Sequence, residues 1–171
     1  SLGKRKFFPS EFLDKKTGIP INGLIWMGNE AFMQQQIEDK ISTGFDCIKM
    51  KIGAINFEAE YEILKSLRNR FSKETIEIRV DANGAFSADE ALSKLELLSK
   101  LDIHSIEQPI RQGQMEEMAK ICSKTPLAIA LDEELIGINN LADKKTLLEH
   151  IKPQYIILKP SLVGGFKGSK E

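Results

Sequence analysis

Ile76-Glu77-Ile78-Arg79-Val80-Asp81-Ala82-Asn83-Gly84-Ala85-Phe86 begins as a β-branched run and ends at a glycine, with a carboxylate and an amide two positions apart before the break. Such a stretch favours a strand that stops near Gly84. A strand turns successive side chains to opposite faces, so Arg79, Asp81 and Asn83 are expected on one face, as a polar row entering whatever that face covers. Two more strand-like runs closed by carboxylates follow at similar spacing, Ile103 to Glu107 and Leu127 to Asp132.

Working outward, Ile21 to Met27 reads as a first strand. Glu30 to Thr43 reads as a helix, with Phe32, Met33 and Ile37 at helical spacing and Gly44 as its stop. Cys47 to Gly53 is a second strand that turns Lys49 and Lys51 to one face. Asn56 is placed to cap a helix over Glu58 to Arg70, whose apolar stripe is Tyr61, Ile63, Leu64 and Leu67. Ser87 and Glu90 form a capping-box pair ahead of Ala91, Leu92, Leu95, Leu97 and Leu98. Helices are expected at Met115 to Cys122 and, capped by Asn140, at Leu141 to His150. A sixth strand, Tyr155 to Lys159, ends at Pro160, and Gly164-Gly165 opens a loop. Residues 1–19 read as a basic, irregular lead-in left from a preceding capping region, and 20–171 as a single domain.

Six strands thus alternate with five helices, and connections long enough to hold helices imply parallel pairing. The choice is between a doubly wound sheet and a (β/α)8 barrel. Strands of a doubly wound sheet are apolar on both faces, whereas these end in Lys49, Lys51, Asp81, Glu107, Asp132 and Lys159. Polar groups at the C-terminal ends of successive strands are what a barrel site is built from. The expected fold is an incomplete TIM-type barrel of about six parallel strands.

With 171 residues and a net charge of −1, the chain has no overall attraction for nucleic acid or acidic membranes. No run approaches the ~18 apolar residues of a membrane-spanning helix, and a cytoplasmic location is expected. Cys47 and Cys122 lie in or beside apolar runs and are expected to be buried free thiols.

Asp81, Glu107 and Asp132 would meet if the strands curl into a barrel. Three carboxylates so placed repel one another unless a cation lies among them, and an all-oxygen set suits Mg2+, with Mn2+ as the alternative. Taken singly, each is more often a helix cap or a lysine partner; three on consecutive strands reverse that preference. Lys49 and Lys51 on one side and Lys159 on the other suggest removal of a proton next to a carboxylate, since a lysine among like charges can act as a base near neutral pH. A Schiff-base aldolase at Lys159, or a binding barrel without catalysis, is the competing reading from another class.

The ordered motifs Lys49-Met50-Lys51, Val80-Asp81-Ala82-Asn83-Gly84, Ile106-Glu107-Gln108-Pro109, Ala130-Leu131-Asp132-Glu133 and Leu158-Lys159-Pro160-Ser161-Leu162-Val163-Gly164-Gly165 resemble the enolase superfamily, muconate-lactonizing subgroup, over residues 20–168. The resemblance implies Asp81, Glu107 and Asp132 as Mg2+ ligands and Lys51 as the base. It implies that Lys51, once protonated, assists departure of a hydroxyl as water, and that Lys159 stabilises an enediolate from the other face. Lys49 would hold the substrate carboxylate or tune Lys51, and Asn83 and Glu133 would support the ligands from behind. Leu158 to Leu162 and Gly23 to Gly28 favour the branch that dehydrates 2-succinyl-6-hydroxy-2,4-cyclohexadiene-1-carboxylate in menaquinone biosynthesis. Racemases of N-succinylamino acids and dipeptide epimerases share the same residues and are the alternative. The implied partner is a small carboxylate substrate, with a homo-oligomer as an option. The family carries a capping domain and eight strands, so the chain is expected to be a fragment with two open sheet edges, prone to aggregation and slow in turnover.

Overall fold

Short aliphatic runs alternate with capped amphipathic segments, and the computed structural model folds them into a six-stranded parallel sheet flanked by helices. It describes residues 10–170; residues 1–9 of the expected lead-in lie outside the described residues. The elements are β1 (Gly23–Ile25), α1 (Glu30–Ser42), β2 (Cys47–Lys51), α2 (Phe57–Arg70), β3 (Glu77–Asp81), α3 (Ala88–Ser99), β4 (Ser105–Glu107), α4 (Met115–Lys124), β5 (Ile129–Leu131), α5 (Leu141–Ile151), β6 (Tyr155–Ile156) and α6 (Gly165–Lys170). Short 3-10 turns at Glu133–Leu135 and Pro160–Leu162 follow β5 and precede α6. Among the described residues there is neither helix nor strand before β1, and none of the described helices is long and apolar enough to cross a membrane.

The strands lie side by side in chain order, β1 to β6. A doubly wound sheet reverses its order partway, whereas a sequential parallel sheet keeps its helices on one side and curls the other inward. Ile48, Met50, Ile78, Val80, Ile106, Ile129 and Leu131 are buried beneath Met33, Ile37, Ile63, Leu64, Leu67, Leu95 and Leu98 of the helices. The alternate positions, Lys49, Lys51, Arg79, Asp81, Ser105 and Glu107, are therefore left facing inward. The hydrophobic layer under the helices thus stabilises the sheet and aims its polar row at one lumen.

Side-chain caps set where the helices begin. Asn29, Asn56 and Asn140 accept from the backbone N–H groups of Phe32 (2.9 Å), Glu58 (2.8 Å) and Asp143 (2.8 Å), and Ser87 exchanges bonds with Glu90. The loop after β2 is fastened by buried Glu60, which accepts from the N–H groups of Gly53 (2.7 Å), Ala54 (3.2 Å) and Ile55 (3.4 Å). Gly53 sits at φ 97°, and a Cβ there would run into the Cβ of Ala85. Gly53→Ala is expected to destabilise the chain by about 1–3 kcal/mol, read as a lower urea midpoint at unchanged slope.

Several expectations require correction. Phe32 and Leu97 are exposed, so α1 and α3 bury narrower stripes, centred on Met33 and Ile37 and on Ala91, Leu95 and Leu98. Strand β6 stops at Ile156, short of Lys159, and Tyr155, Ile156 and Leu158 are exposed because no further strand covers that edge among the described residues. The segment after Gly164 forms α6 rather than a loop.

Cys47 is half-buried and Cys122 buried, both as free thiols. Burial pushes each thiol up to about 11, so neither holds much reactive thiolate at neutral pH. Iodoacetamide at pH 7.5 is expected to label the native chain slowly and the urea-unfolded chain at both positions. Rapid labelling of the native chain, followed by intact mass, would contradict this.

Candidate active site

The C-terminal ends of the strands and the turns just beyond them bring together Lys49, Lys51, Asp81, Asn83, Glu107, Asp132, Glu133 and Lys159. Lys51, Asp81 and Glu107 are neighbours in register across β2, β3 and β4. Lys49 Nζ lies 3.0 Å from Asp81 Oδ2 and also donates to Glu107 Oε2. Lys51 Nζ lies 2.9 Å from Asp81 Oδ2 and 2.5 Å from Asn83 Oδ1. The Asn83 amide in turn donates to Glu133 Oε1 at 2.8 Å. Across the site, Lys159 Nζ donates to Asp132 Oδ2.

Asn83 reaches this cluster by a different route from strand alternation, which ends with β3 at Asp81. Asn83 adopts φ 44° in the following turn, and its N–H donates to Asp81 Oδ1 at 3.1 Å. Gly84 continues the turn at φ 75°, where a Cβ would lie 2.9 Å from the Arg111 backbone. Arg79 does share the lumen face, but lower down, where it pairs with Glu77 at 2.6 Å and takes no part in the cluster.

One participant stands in a quoted motif without a role assigned to it from the sequence. Gln108 is fully buried at φ 39°; its Oε1 accepts from the N–H groups of Asp132 (3.2 Å) and Glu134 (3.3 Å). Its amide group donates to Ile110 O (3.0 Å) and Glu134 Oε2 (3.2 Å). It thereby ties the end of β4 to the residue that follows β5. Glutamine beside a strand-ending glutamate gives no local signal of such a task. A buried amide takes up long-range partners that only the tertiary arrangement supplies.

The site is a buried array of opposite charges. Asp81, Glu107 and Asp132 are 1%, 6% and 2% exposed. Burial pushes the Glu107 carboxyl up to about 7; the hydrogen bond from Lys49 opposes this, while the nearby Asp81 charge and Asp132 reinforce it. Burial also works against the Asp81 anion, but hydrogen bonds and charge from Lys51 and Lys49 outweigh it and hold that carboxyl below its ordinary value. For Lys49 and Lys159, burial favours the neutral amine, yet contacts with Glu107 and Asp81, and with Asp132, raise both above the usual lysine value. The expectation of lysines among like charges is thus corrected: Lys49, Lys51 and Lys159 each face a carboxylate, and for Lys49 and Lys159 this favours the ammonium form.

The donor chemistry suits a hard divalent cation: three buried carboxylates from adjacent strands, with Asp132 Oδ1 and Glu133 Oε2 buried and without a hydrogen-bond partner. As the side chains stand, among the described residues no group of three or more His, Cys, Asp or Glu is arranged to hold a metal ion. The reason is visible in the ion pairs, because the lysines engage the carboxylate oxygens that a cation would take.

Residues 32–171 match the family model described as enolase C-terminal domain-like. The o-succinylbenzoate synthase of Desulfotalea psychrophila is 56% identical over 166 residues, 97% of this chain and 45% of that protein. The crystal structure of MenC from Desulfotalea psychrophila superposes with a TM-score of 0.86 at 52% identity, covering 98% of this chain and 46% of that one. An N-succinyl-L-Arg/Lys racemase of Bacillus cereus is 32% identical over 117 residues, 68% of this chain and 31% of that protein. The chain spans about half the length, or less, of these relatives. With a matching profile over most of its length and parallel strands in sequential order, the chain belongs to the enolase C-terminal domain-like family.

Proposed function

We propose that this chain carries the catalytic face of an o-succinylbenzoate synthase-like dehydratase acting on 2-succinyl-6-hydroxy-2,4-cyclohexadiene-1-carboxylate. The observation that carries the reading is the meeting of Asp81, Glu107 and Asp132 with Lys49, Lys51 and Lys159 at and just beyond the C-terminal ends of consecutive parallel strands. The choice of substrate rests on the likeness to the Desulfotalea synthase.

Lys51 is the base: as the free amine it takes the proton next to the substrate carboxylate, and as ammonium it returns a proton to the departing hydroxyl, which leaves as water. Both events use one side chain on one face, so elimination is syn. Lys159 remains ammonium because of Asp132, and from the opposite side it stabilises the enediolate that forms when the proton leaves. Lys49 bridges Asp81 and Glu107 and is placed to release one of them for the incoming carboxylate. Asn83, linked to both Lys51 and Glu133, fixes the direction from which Lys51 approaches.

Asp81, Glu107 and Asp132 would hold Mg2+, or Mn2+ in its place, which when bound supplies positive charge for the substrate carboxylate and for the negative charge growing on it. Asn83 and Glu133 lie behind these ligands. Dialysis of the complete gene product against a chelator is expected to abolish o-succinylbenzoate formation, and added Mg2+ to restore it. Activity that persists in chelator would remove the metal from the reading.

Racemisation of N-succinylamino acids by the same lysine pair is a second reading, favoured by the Bacillus cereus racemase likeness. Assaying both substrates separates the two: racemisation without dehydration would reverse the order. A Schiff-base aldolase at Lys159 is disfavoured, because such a lysine needs a depressed pKa and Lys159 is pushed upward. The cytoplasm, a homo-oligomer, and a division into a lead-in at 1–19 and a partial barrel at 20–171 complete the proposal.

A further inference from the structure

The end of β1 carries a side chain that the reaction above does not use. Leu24 is in register with Lys49, and buried Ile25 with Met50. The next position, Trp26, therefore alternates back to the lumen face beside Lys51. Trp26 is 58% exposed, and Lys51 Nζ stands 5.7 Å from its ring centroid. The backbone beneath it is fixed on both sides by one side chain of α1: Trp26 N–H donates to Gln36 Oε1 at 3.0 Å, and Gln36 Nε2 donates to Trp26 O at 3.0 Å.

We propose that Trp26 is a substrate-contacting, specificity-determining residue whose indole forms an aromatic wall beside Lys51 and takes the flat face of an unsaturated ring that bears the reacting carboxylate. Gln36 is its positioning residue. This rests on the dehydration reading and adds the means by which a cyclic substrate is told from an acyclic one. An indole held beside the amine that handles the reacting carbon offers a flat apolar face for a ring-shaped ligand to stack on. Because the Gln36 clamp already orders its backbone, stacking on Trp26 costs little further entropy. N-succinylamino acids that lack a flat ring at the reacting carbon gain little from such a wall.

Two measurements test this. In the complete gene product, Trp26→Ala is expected to raise KM for the cyclohexadiene carboxylate about tenfold, Trp26→Phe to hold it within about threefold, and any racemisation of an N-succinylamino acid to keep its KM. Gln36→Ala should move KM in the same direction as Trp26→Ala, but less. An equal loss of kcat on both substrates with KM unmoved would show that Trp26 acts only through Lys51, overturning the proposal. Trp26 is the sole tryptophan of the 171-residue chain, so its emission reports this position alone. Saturable quenching of this chain by o-succinylbenzoate in Mg2+ is expected, and a calorimetrically detected complex with unchanged emission would overturn the assignment. A gene product that neither dehydrates the cyclohexadiene nor binds o-succinylbenzoate overturns the dehydration reading instead, and the substrate contact with it.

Discussion

Replacing Lys51 with alanine is expected to lower kcat for dehydration by at least about a hundredfold and by as much as ~10⁴, with KM changed little. The reasoning is geometric. Lys51 Nζ is fixed from two directions, by Asp81 Oδ2 at 2.9 Å and Asn83 Oδ1 at 2.5 Å, whereas Lys49 shares only the Asp81 contact and turns its amine to Glu107. Truncation should cost only about 1 kcal/mol of stability, because Asp81 keeps Lys49 at 3.0 Å. Circular dichroism should be unchanged while turnover collapses. Turnover within tenfold of the parent would transfer the role of base to another residue, and Lys159→Ala would then be the next variant to assay.

Glu107→Gln is expected to move activity and metal-free stability in opposite directions. Burial raises the Glu107 carboxyl from an ordinary 4.5 to about 7. Between those values the folded chain keeps a proton that the unfolded chain has lost. The associated stability is therefore complete below about 4.5 and is lost as pH rises through about 7. Glutamine is neutral throughout and retains an oxygen to accept from Lys49, while Lys49 keeps Asp81 as its ion-pair partner. In chelator above pH 7 the variant should thus match or exceed the parent by on the order of 1–3 kcal/mol, the difference shrinking toward pH 5. The same change removes one charged oxygen ligand, and Mg2+ affinity and dehydration should each fall at least about tenfold. Urea midpoints at pH 5.5 and 8.5, with calorimetric titration of Mg2+, test both halves. A parent midpoint flat across that range, or unchanged metal affinity, would contradict the account. Such opposition is expected wherever a site concentrates like charges for function at the expense of stability.

Asp81, Glu107 and Asp132 could be found in the sequence because each closes an apolar run whose period is that of a strand, and the runs recur between segments of helical period. Lys49 and Lys51 were found by the same alternation, which the buried Ile48 and Met50 between and beside them enforce. The helix starts were equally local, since Asn29, Asn56, Ser87 and Asn140 cap through bonds to residues only a few positions on. Phe32 and Leu97 misled because a helix's apolar period does not state how wide a neighbouring surface is available to cover it.

The strand runs, the helix starts and the alternation that sets the polar residues in one row followed from residue order, because backbone periodicity and short-range hydrogen bonds act within a few positions. Asn83 beside Lys51, Gln108 across two strand ends, Lys159 against Asp132 from beyond its strand, and the raised Glu107 carboxyl had to await the fold. Each depends on desolvation, or on partners between 24 and 32 positions away, as the bond from the Asp132 N–H to Gln108 Oε1 and the Lys51–Asn83 bond illustrate. Burial and charge pairing are properties of a lumen, and the lumen exists only once the sheet has curled.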